Sequence, residues 1–334
     1  MEGEDLLKAA LLVSPGVIVV DEVADPTLGP DDVLIGVGGV GLCGSDVSVF
    51  RGTWIAPSYP WLLGHEIFGV VEAVGDRVPS KRVGELVVVE PNIPCFRCVE
   101  CDRGRPSSCL RRQSVGMNRP GGLAEKVVVP SPFAWTVDHG SATDLVCIEP
   151  LTVVETALSR LPGPLPTTAL VVGAGAQGML MCLALLRRGV EVHALDLNLD
   201  RVAFATTLGA KPASADEGDL RFALVIDSAG TPQSMRAALD RIEAWGTLLV
   251  LGIDNRPFEI SSAVLVRRQL TLRGSLTYDH PTDFRRVIDL VQGGDLSPGR
   301  VTTDDYPLAD VQRAFESSAS SRGKSWVRVN LSLP

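Results

Sequence analysis

Up to about residue 130 the chain alternates short valine-rich runs with glycine and proline: VIVVDEV, DDVLIGVGGVGL, FGVVEAVG, GELVVVEP and LAEKVVVP. Apolar runs bounded by turn residues predict strands, and residues 1–150 show little helical periodicity. Past 150 the pattern changes. A proline-rich bridge, LPGPLP (161–166), leads into ALVVGAGAQG and then the helix-like MLMCLALLRRG. EVHALD, a helix-like DRVAFATTLGA, FALVIDSAG, a helix-like PQSMRAALDRI and TLLVLGI follow in turn. Strands alternating with helices predict a parallel, doubly wound sheet. After about 276 the pattern is mixed again. The reading is α/β in two domains: a mainly β domain over 1–153 and 276–334, and a doubly wound one over 154–275. There is no internal repeat, and the Pro- and Ser-rich spots at 162–166 and 317–321 read as loops.

The first strand of the second domain runs into Gly173, Gly175 and Gly178, a G-x-G-x-x-G pattern with Gln177 inside it. Strand before and helix after are the context in which this pattern binds a dinucleotide. The first glycine makes the tight turn, the second admits the pyrophosphate, and the third lets helix and strand pack closely. Asp196 ends the next strand, 18 residues past Gly178. A carboxylate there accepts from ribose hydroxyls and repels a 2′-phosphate, which favours NAD over NADP. Arg201, nearby, is the feature that could accommodate that phosphate.

Four of the seven cysteines fall within CFRCVECDRGRPSSC: Cys95, Cys98, Cys101 and Cys109, in the spacing C-x2-C-x2-C-x7-C. Four soft ligands on one turn-rich loop suit a closed tetrahedral zinc site. Such a site has no open position for substrate, so the chemistry is expected elsewhere.

Composition narrows the class. The chain has 334 residues, 45% hydrophobic and 21% charged, with a net charge of −9. That balance disfavours a nucleic-acid binder. No apolar run has the length of a membrane span, and the acidic start MEGEDLLKAALLV is unlike a signal peptide. A cytoplasmic location is expected, where clustered thiols favour metal over disulfides.

Three further stretches carry candidate ligands: GLCGSD with Cys43, Ser45 and Asp46; LLGHEIFGVVEAVG with His65 and Glu66; and CIEPLTVVETAL with Glu149. Taken singly, each has a structural explanation. In this order, with the four-cysteine lobe, the glycine fingerprint and GGLAEKVVVP, DSAG, LTLRGSLTY and YPLADVQRAFE, they resemble the zinc-dependent medium-chain dehydrogenase/reductase family. The EPLTVVETAL stretch is most similar to its polyol and sugar dehydrogenase branch.

The resemblance implies a Rossmann domain joined to a GroES-like catalytic domain with a structural zinc lobe at 95–109. It implies a catalytic zinc shell drawn from Cys43, His65, Glu66 and Glu149, and leaves open whether Glu66 or Glu149 bonds the metal. Asp46 resembles the carboxylate that orients the histidine, and Ser45 the hydroxyl that meets the substrate oxygen. Gly274, Ser275 and Leu276 resemble the turn that contacts the nicotinamide. The implied reaction passes hydride between NAD and a secondary alcohol of a polyol, sugar or cyclitol. Zinc acidifies the hydroxyl and the proton leaves through Ser45 and water. The alternatives are an amino-alcohol dehydrogenase of the threonine type and a catalytically silent nucleotide-binding relative. Two zinc ions per chain and a homodimer or homotetramer are implied, the strand at 247–266 being a candidate to continue a sheet into a second copy. Departures from the family pattern are Ser48 and Glu155 where histidines are common, GEL at 84–86, and Phe96 where glycine is common.

Other residues read more plainly. His193 is structural; His139 and His280, in polar loops, are solvated. Cys182 is core, and Cys147 could lie near the metal. Phe50 and Trp54 line a pocket or pack. Arg111 and Arg112 form a solvated face or an interface.

Overall fold

The computed structural model describes residues 6–213 and 220–330, so the first residues of the acidic start lie outside the description. The chain divides into two compact units, residues 1–149 with 279–334, and residues 150–278. The first crossing falls within the helix Ile148–Ser159, so the proline-rich stretch 161–166 lies inside the second unit.

The first unit is built on strands. Its largest sheet runs in the order Ala134–Thr136, Leu86–Val89, Glu66–Val74, Asp32–Gly41, Lys324–Arg328, Thr302–Pro307, with Lys126–Pro130 also pairing Asp32–Gly41. Asp32–Gly41 is the hub, and most of its residues are buried on both faces. That explains why DVLIGVGGVG lacks the clean alternation of a half-solvated strand. Val33, Ile35, Val37 and Val40 join Ile67, Val87 and Val129 in the core, all at 4% exposure or less. The register sets Gly41 opposite Glu66 on one side and opposite Trp326 on the other. The strand Lys324–Arg328 thus reaches the row that carries GHE. A three-stranded sheet (Val17–Ala24, Leu6–Ser14, Trp61–Leu62) completes the main layers.

The second unit is a six-stranded parallel sheet in the order Lys211–Pro212, Glu191–Leu195, Thr168–Val172, Phe222–Asp227, Ile242–Val250, Thr271–Gly274. Counted within this unit the order is 3-2-1-4-5-6, the doubly wound arrangement whose ligand site lies where the order reverses. The helices Ala176–Arg187, Leu199–Thr207 and Pro232–Arg241 connect the strands. Asn198 and Thr231 cap the latter two, accepting from the N–H groups of Asp200 and Ser234. Gly178 through Leu185 are all buried, Cys182 among them. The expected strand at 247–266 is not found. The strand ends at Val250, and Ser262–Arg268 is a helix capped by Ser261. The Ser261 hydroxyl accepts from the Val264 N–H at the start of that helix.

Candidate metal centre and dinucleotide site

Cys43 precedes the helix Gly44–Phe50, and its N–H donates to Asp46 Oδ2 at 3.2 Å. Asp46 is fully buried. Its Oδ1 accepts from the Gly64 N–H at 3.1 Å and lies 3.2 Å from His65 Nδ1. A carboxylate can only accept, so Nδ1 carries a hydrogen, and it is Nε2 that, on losing its proton, would offer a lone pair to a metal. Burial alone would lower the imidazole pKa, but the charge and hydrogen bond of Asp46, with Cys43 beyond, hold it well above the usual histidine value.

Ligand atoms of Cys43, His65 and Glu66 lie within 4.8 Å of one another. Thiolate, imidazole and carboxylate are the donor types zinc takes in catalytic sites, with three protein ligands and an exchangeable position. Glu66 is 1% exposed, and its Oε1 is buried with no hydrogen-bond partner among the described residues. A buried carboxylate with one oxygen unpartnered, grouped with a thiol and an imidazole, fits a cation. Glu149 is also buried, at the start of the helix Ile148–Ser159, but lies outside this trio. Ser45 is half-buried on the same short helix as Asp46.

The four-cysteine group is also assembled. Sγ atoms of Cys95, Cys98, Cys101 and Cys109 lie within 4.8 Å of one another, and all seven cysteines are free thiols. Cys98 Sγ is 3.6 Å from Cys101 Sγ and 3.9 Å from Cys109 Sγ. Zinc–thiolate bonds of about 2.3 Å in a tetrahedron set sulfurs roughly 3.8 Å apart. Backbone hydrogen bonds from Cys101 and Leu110 pull the Cys98 thiol down to about 6. Phe96 takes a left-handed φ of 53° in this loop, which accounts for glycine being common there.

In the second unit, Gly173 has φ +91°, which only glycine adopts freely. Ser228 Oγ donates to its carbonyl at 2.6 Å, holding the turn. A Cβ on Gly178 would fall 1.8 Å from the Gly173 carbonyl oxygen, so this helix start packs against the turn only as glycine. A Cβ on Gly175 would meet nothing within 4 Å. The open space there, at the N-terminus of Ala176–Arg187, is where backbone N–H groups can take a pyrophosphate. Asp196 sits beside it, its Oδ2 accepting from the Ala174 N–H at 2.7 Å and Oδ1 from the Asn198 N–H at 2.8 Å. A cavity of about 760 Å³ is lined by Gly173, Asp196, Leu197, Arg201, Thr231 and Gln233. Gln177 turns its amide to the Pro150 carbonyl at 3.3 Å. Gly274 and Leu276 are exposed and Ser275 is buried, its hydroxyl unpartnered among the described residues. Another cavity of about 760 Å³, lined by Arg221, Asp240, Arg241, Glu243 and Arg268, includes neither the glycine turn nor Asp196.

Among the remaining side chains, His280 falls elsewhere than its sequence context suggested. His280 is not solvated: it stacks on Phe133 at 4.6 Å and meets buried Glu90 through Nδ1 at 2.8 Å. Phe50 is core, packed on Phe315 at 5.1 Å, and Trp54 packs against the same cluster. Glu155 pairs with Arg188, and the Ser48 hydroxyl donates back to the Gly44 carbonyl at 2.9 Å. Cys147 is fully buried, its thiol pushed up to about 12 by burial. His193 pairs with Glu191 at 3.0 Å, and His139 is exposed. A residue the sequence reading missed stands at the metal trio: Lys324, 1% exposed, ion-paired to Glu66. The available signal was a lone lysine opening the apolar run KSWVRV.

Residues 29–139 match the family model for the alcohol dehydrogenase GroES-like domain, and residues 177–293 that for zinc-binding dehydrogenases. The chain is 32% identical to D-altritol 5-dehydrogenase of Agrobacterium fabrum over 94% of this chain and 96% of that one. Among solved structures it resembles the rspB alcohol dehydrogenase of Escherichia coli CFT073 with bound NADH, at TM-score 0.89 and 26% identity over 98% of this chain and 100% of the other. It also resembles a zinc-binding dehydrogenase of Sinorhizobium meliloti 1021 bound to NADP, at TM-score 0.88 and 27% identity over 98% and 100%. With a GroES-like β unit, a doubly wound parallel unit and both ligand groups in place, the chain belongs to the zinc-dependent medium-chain dehydrogenase/reductase family, as an oxidoreductase of its alcohol and polyol dehydrogenase type.

Proposed function

We propose that this chain is an NAD-dependent zinc dehydrogenase acting on a secondary alcohol of a polyol, sugar or cyclitol. The observation that carries it is the trio Cys43, His65 and Glu66, backed by Asp46. Cys43, His65 and Glu66 would hold the catalytic zinc, with buried Glu149 as a further candidate donor, and the four-cysteine lobe a structural one. Bound there, zinc would act as a Lewis acid on the substrate hydroxyl, and the nicotinamide would take the hydride. The chain does the rest. Asp46 keeps the His65 hydrogen on Nδ1. Ser45, half-buried beside Asp46, accepts the proton leaving the substrate and passes it to water. Gly173, Gly175, Gln177 and Gly178 shape the phosphate turn, Asp196 takes the ribose hydroxyls, and Gly274, Ser275 and Leu276 would meet the carboxamide.

Preference for NAD rests on Asp196, whose charge at the cavity edge opposes a 2′-phosphate, with Arg201 on the same wall. The similarity to D-altritol 5-dehydrogenase supports a polyol substrate. The free thiols suit a reducing compartment, and a homo-oligomer fits the exposed edge strand Thr271–Gly274. The test is a panel of polyols, sugars, cyclitols and amino alcohols read by NADH absorbance. Turnover of a polyol, lost in His65→Ala with NAD binding retained, is expected. Turnover of threonine alone, or of nothing by a zinc-loaded chain, overturns the reading.

A further inference from the structure

We propose that Lys324 is a positioning residue that fixes how Glu66 meets the metal, occupying one carboxylate oxygen and leaving the other for the ion. This rests on the reading of Cys43, His65 and Glu66 as metal ligands.

Lys324 and Glu66 are each 1% exposed. An ammonium removed from water is costly unless it is paired and hydrogen-bonded, and here it is both. Lys324 Nζ donates to Glu66 Oε2, and also to the Leu42 carbonyl at 3.3 Å. Leu42 precedes Cys43, so one ammonium ties the strand bearing Glu66 to the backbone bearing the cysteine ligand. Space for the pair is provided by Gly41, where a Cβ would fall 2.1 Å from Glu66 Oε2 and 2.9 Å from Lys324 Cε.

The consequence lies in the other oxygen. Oε1 is buried and has no hydrogen-bond partner among the described residues, while Glu66 contributes an atom to the trio. A carboxylate with both oxygens free can grip a metal with two. With Oε2 committed to an ammonium, it offers one, and part of its charge is already neutralised. Lys324 would therefore leave Glu66 a single oxygen to offer the ion.

The experiment uses the full chain with cobalt(II) exchanged for zinc, and takes as the site's signal the visible absorption that Cys43→Ser removes. Zinc affinity is read in parallel by competition with a chromogenic chelator. In Lys324→Met, Glu66 gains a second free oxygen. The cobalt bands should lose intensity, as a rise in coordination number requires, and zinc should bind roughly tenfold tighter, the scale on which residues behind metal ligands act. In a Glu66→Gln background the same lysine change should have no effect. A Lys324→Met chain with wild-type far-ultraviolet dichroism and NAD binding, but unchanged cobalt spectrum and zinc affinity, overturns the proposal. Should that variant fail to fold, Lys324→Arg decides. Its two-pronged guanidinium can take both oxygens and should weaken zinc roughly tenfold, and unchanged affinity overturns the proposal. If Cys43→Ser removes no cobalt signal at all, it is the metal-site reading that fails.

Discussion

Asp46 and His65 stand 3.2 Å apart through Oδ1 and Nδ1, both buried, with the carboxylate also fixed by the N–H groups of Cys43 and Gly64. This contact decides which imidazole nitrogen is available. Asp46→Asn keeps the volume but brings an amide that can donate, which favours the wrong tautomer. Zinc affinity should fall roughly 10–100-fold, with kcat/KM falling alongside and NAD affinity unchanged. Chelator competition and a fluorescence titration with NADH separate the two effects.

Asp196 sets the cofactor choice. Removing its carboxylate takes away acceptors for ribose and the charge that opposes a 2′-phosphate, while Arg201 remains on the cavity wall. A hydrogen bond to a charged group contributes about 1.5–3 kcal/mol, so Asp196→Ala should cut kcat/KM for NAD by at least roughly tenfold. The ratio of NADP to NAD use should rise. Steady-state kinetics with both cofactors checks it, and an unchanged ratio would place the discrimination in another residue.

How much of this was legible in the sequence follows from how locally each site is built. The glycine turn and Asp196 belong to one strand–helix–strand unit, and the lobe to fifteen consecutive residues, so pattern sufficed. The trio is harder: Cys43 and His65 meet because Gly41 pairs with Glu66 across two strands. Spacing alone did not require it, and only the resemblance suggested it. Lys324 was out of reach, 258 residues from Glu66 and joined to it by the last strand of the sheet. His280 was misread for the same reason. Its own neighbours are polar, but Glu90 and Phe133, which enclose it, are distant in the chain.

The lobe should be separable from the chemistry. Cys98 touches two other sulfurs, so Cys98→Ser leaves three thiolates and a poor fourth ligand. Metal analysis should fall from two zinc ions per chain to one, matching the two ligand groups among the described residues. The Tm should drop, because a structural zinc contributes directly to folding. Mild chelation of the wild type should first remove the metal of the open trio, abolishing turnover while the Tm changes little. Loss of both metals together would argue against one closed and one open site.

Gly178 offers a test that needs neither metal nor substrate. Its missing Cβ is what lets the helix Ala176–Arg187 sit against the turn, since the atom would lie 1.8 Å from the Gly173 carbonyl oxygen and 2.8 Å from Ser228 Oγ. The obstacle is backbone, so no side chain can swing aside, and either the helix start or the turn must move. Overpacking of this kind costs about 1–3 kcal/mol. Gly178→Ala should therefore lower the Tm and weaken NADH binding together, because the displaced turn is the one that takes the pyrophosphate. Gly175→Ala should behave differently: its Cβ projects into open space, so the free protein keeps its Tm and only cofactor affinity falls. Melting curves with and without NADH distinguish the two. A Gly175→Ala chain that still gains wild-type thermal stability from NADH would show that the pyrophosphate lies away from this turn.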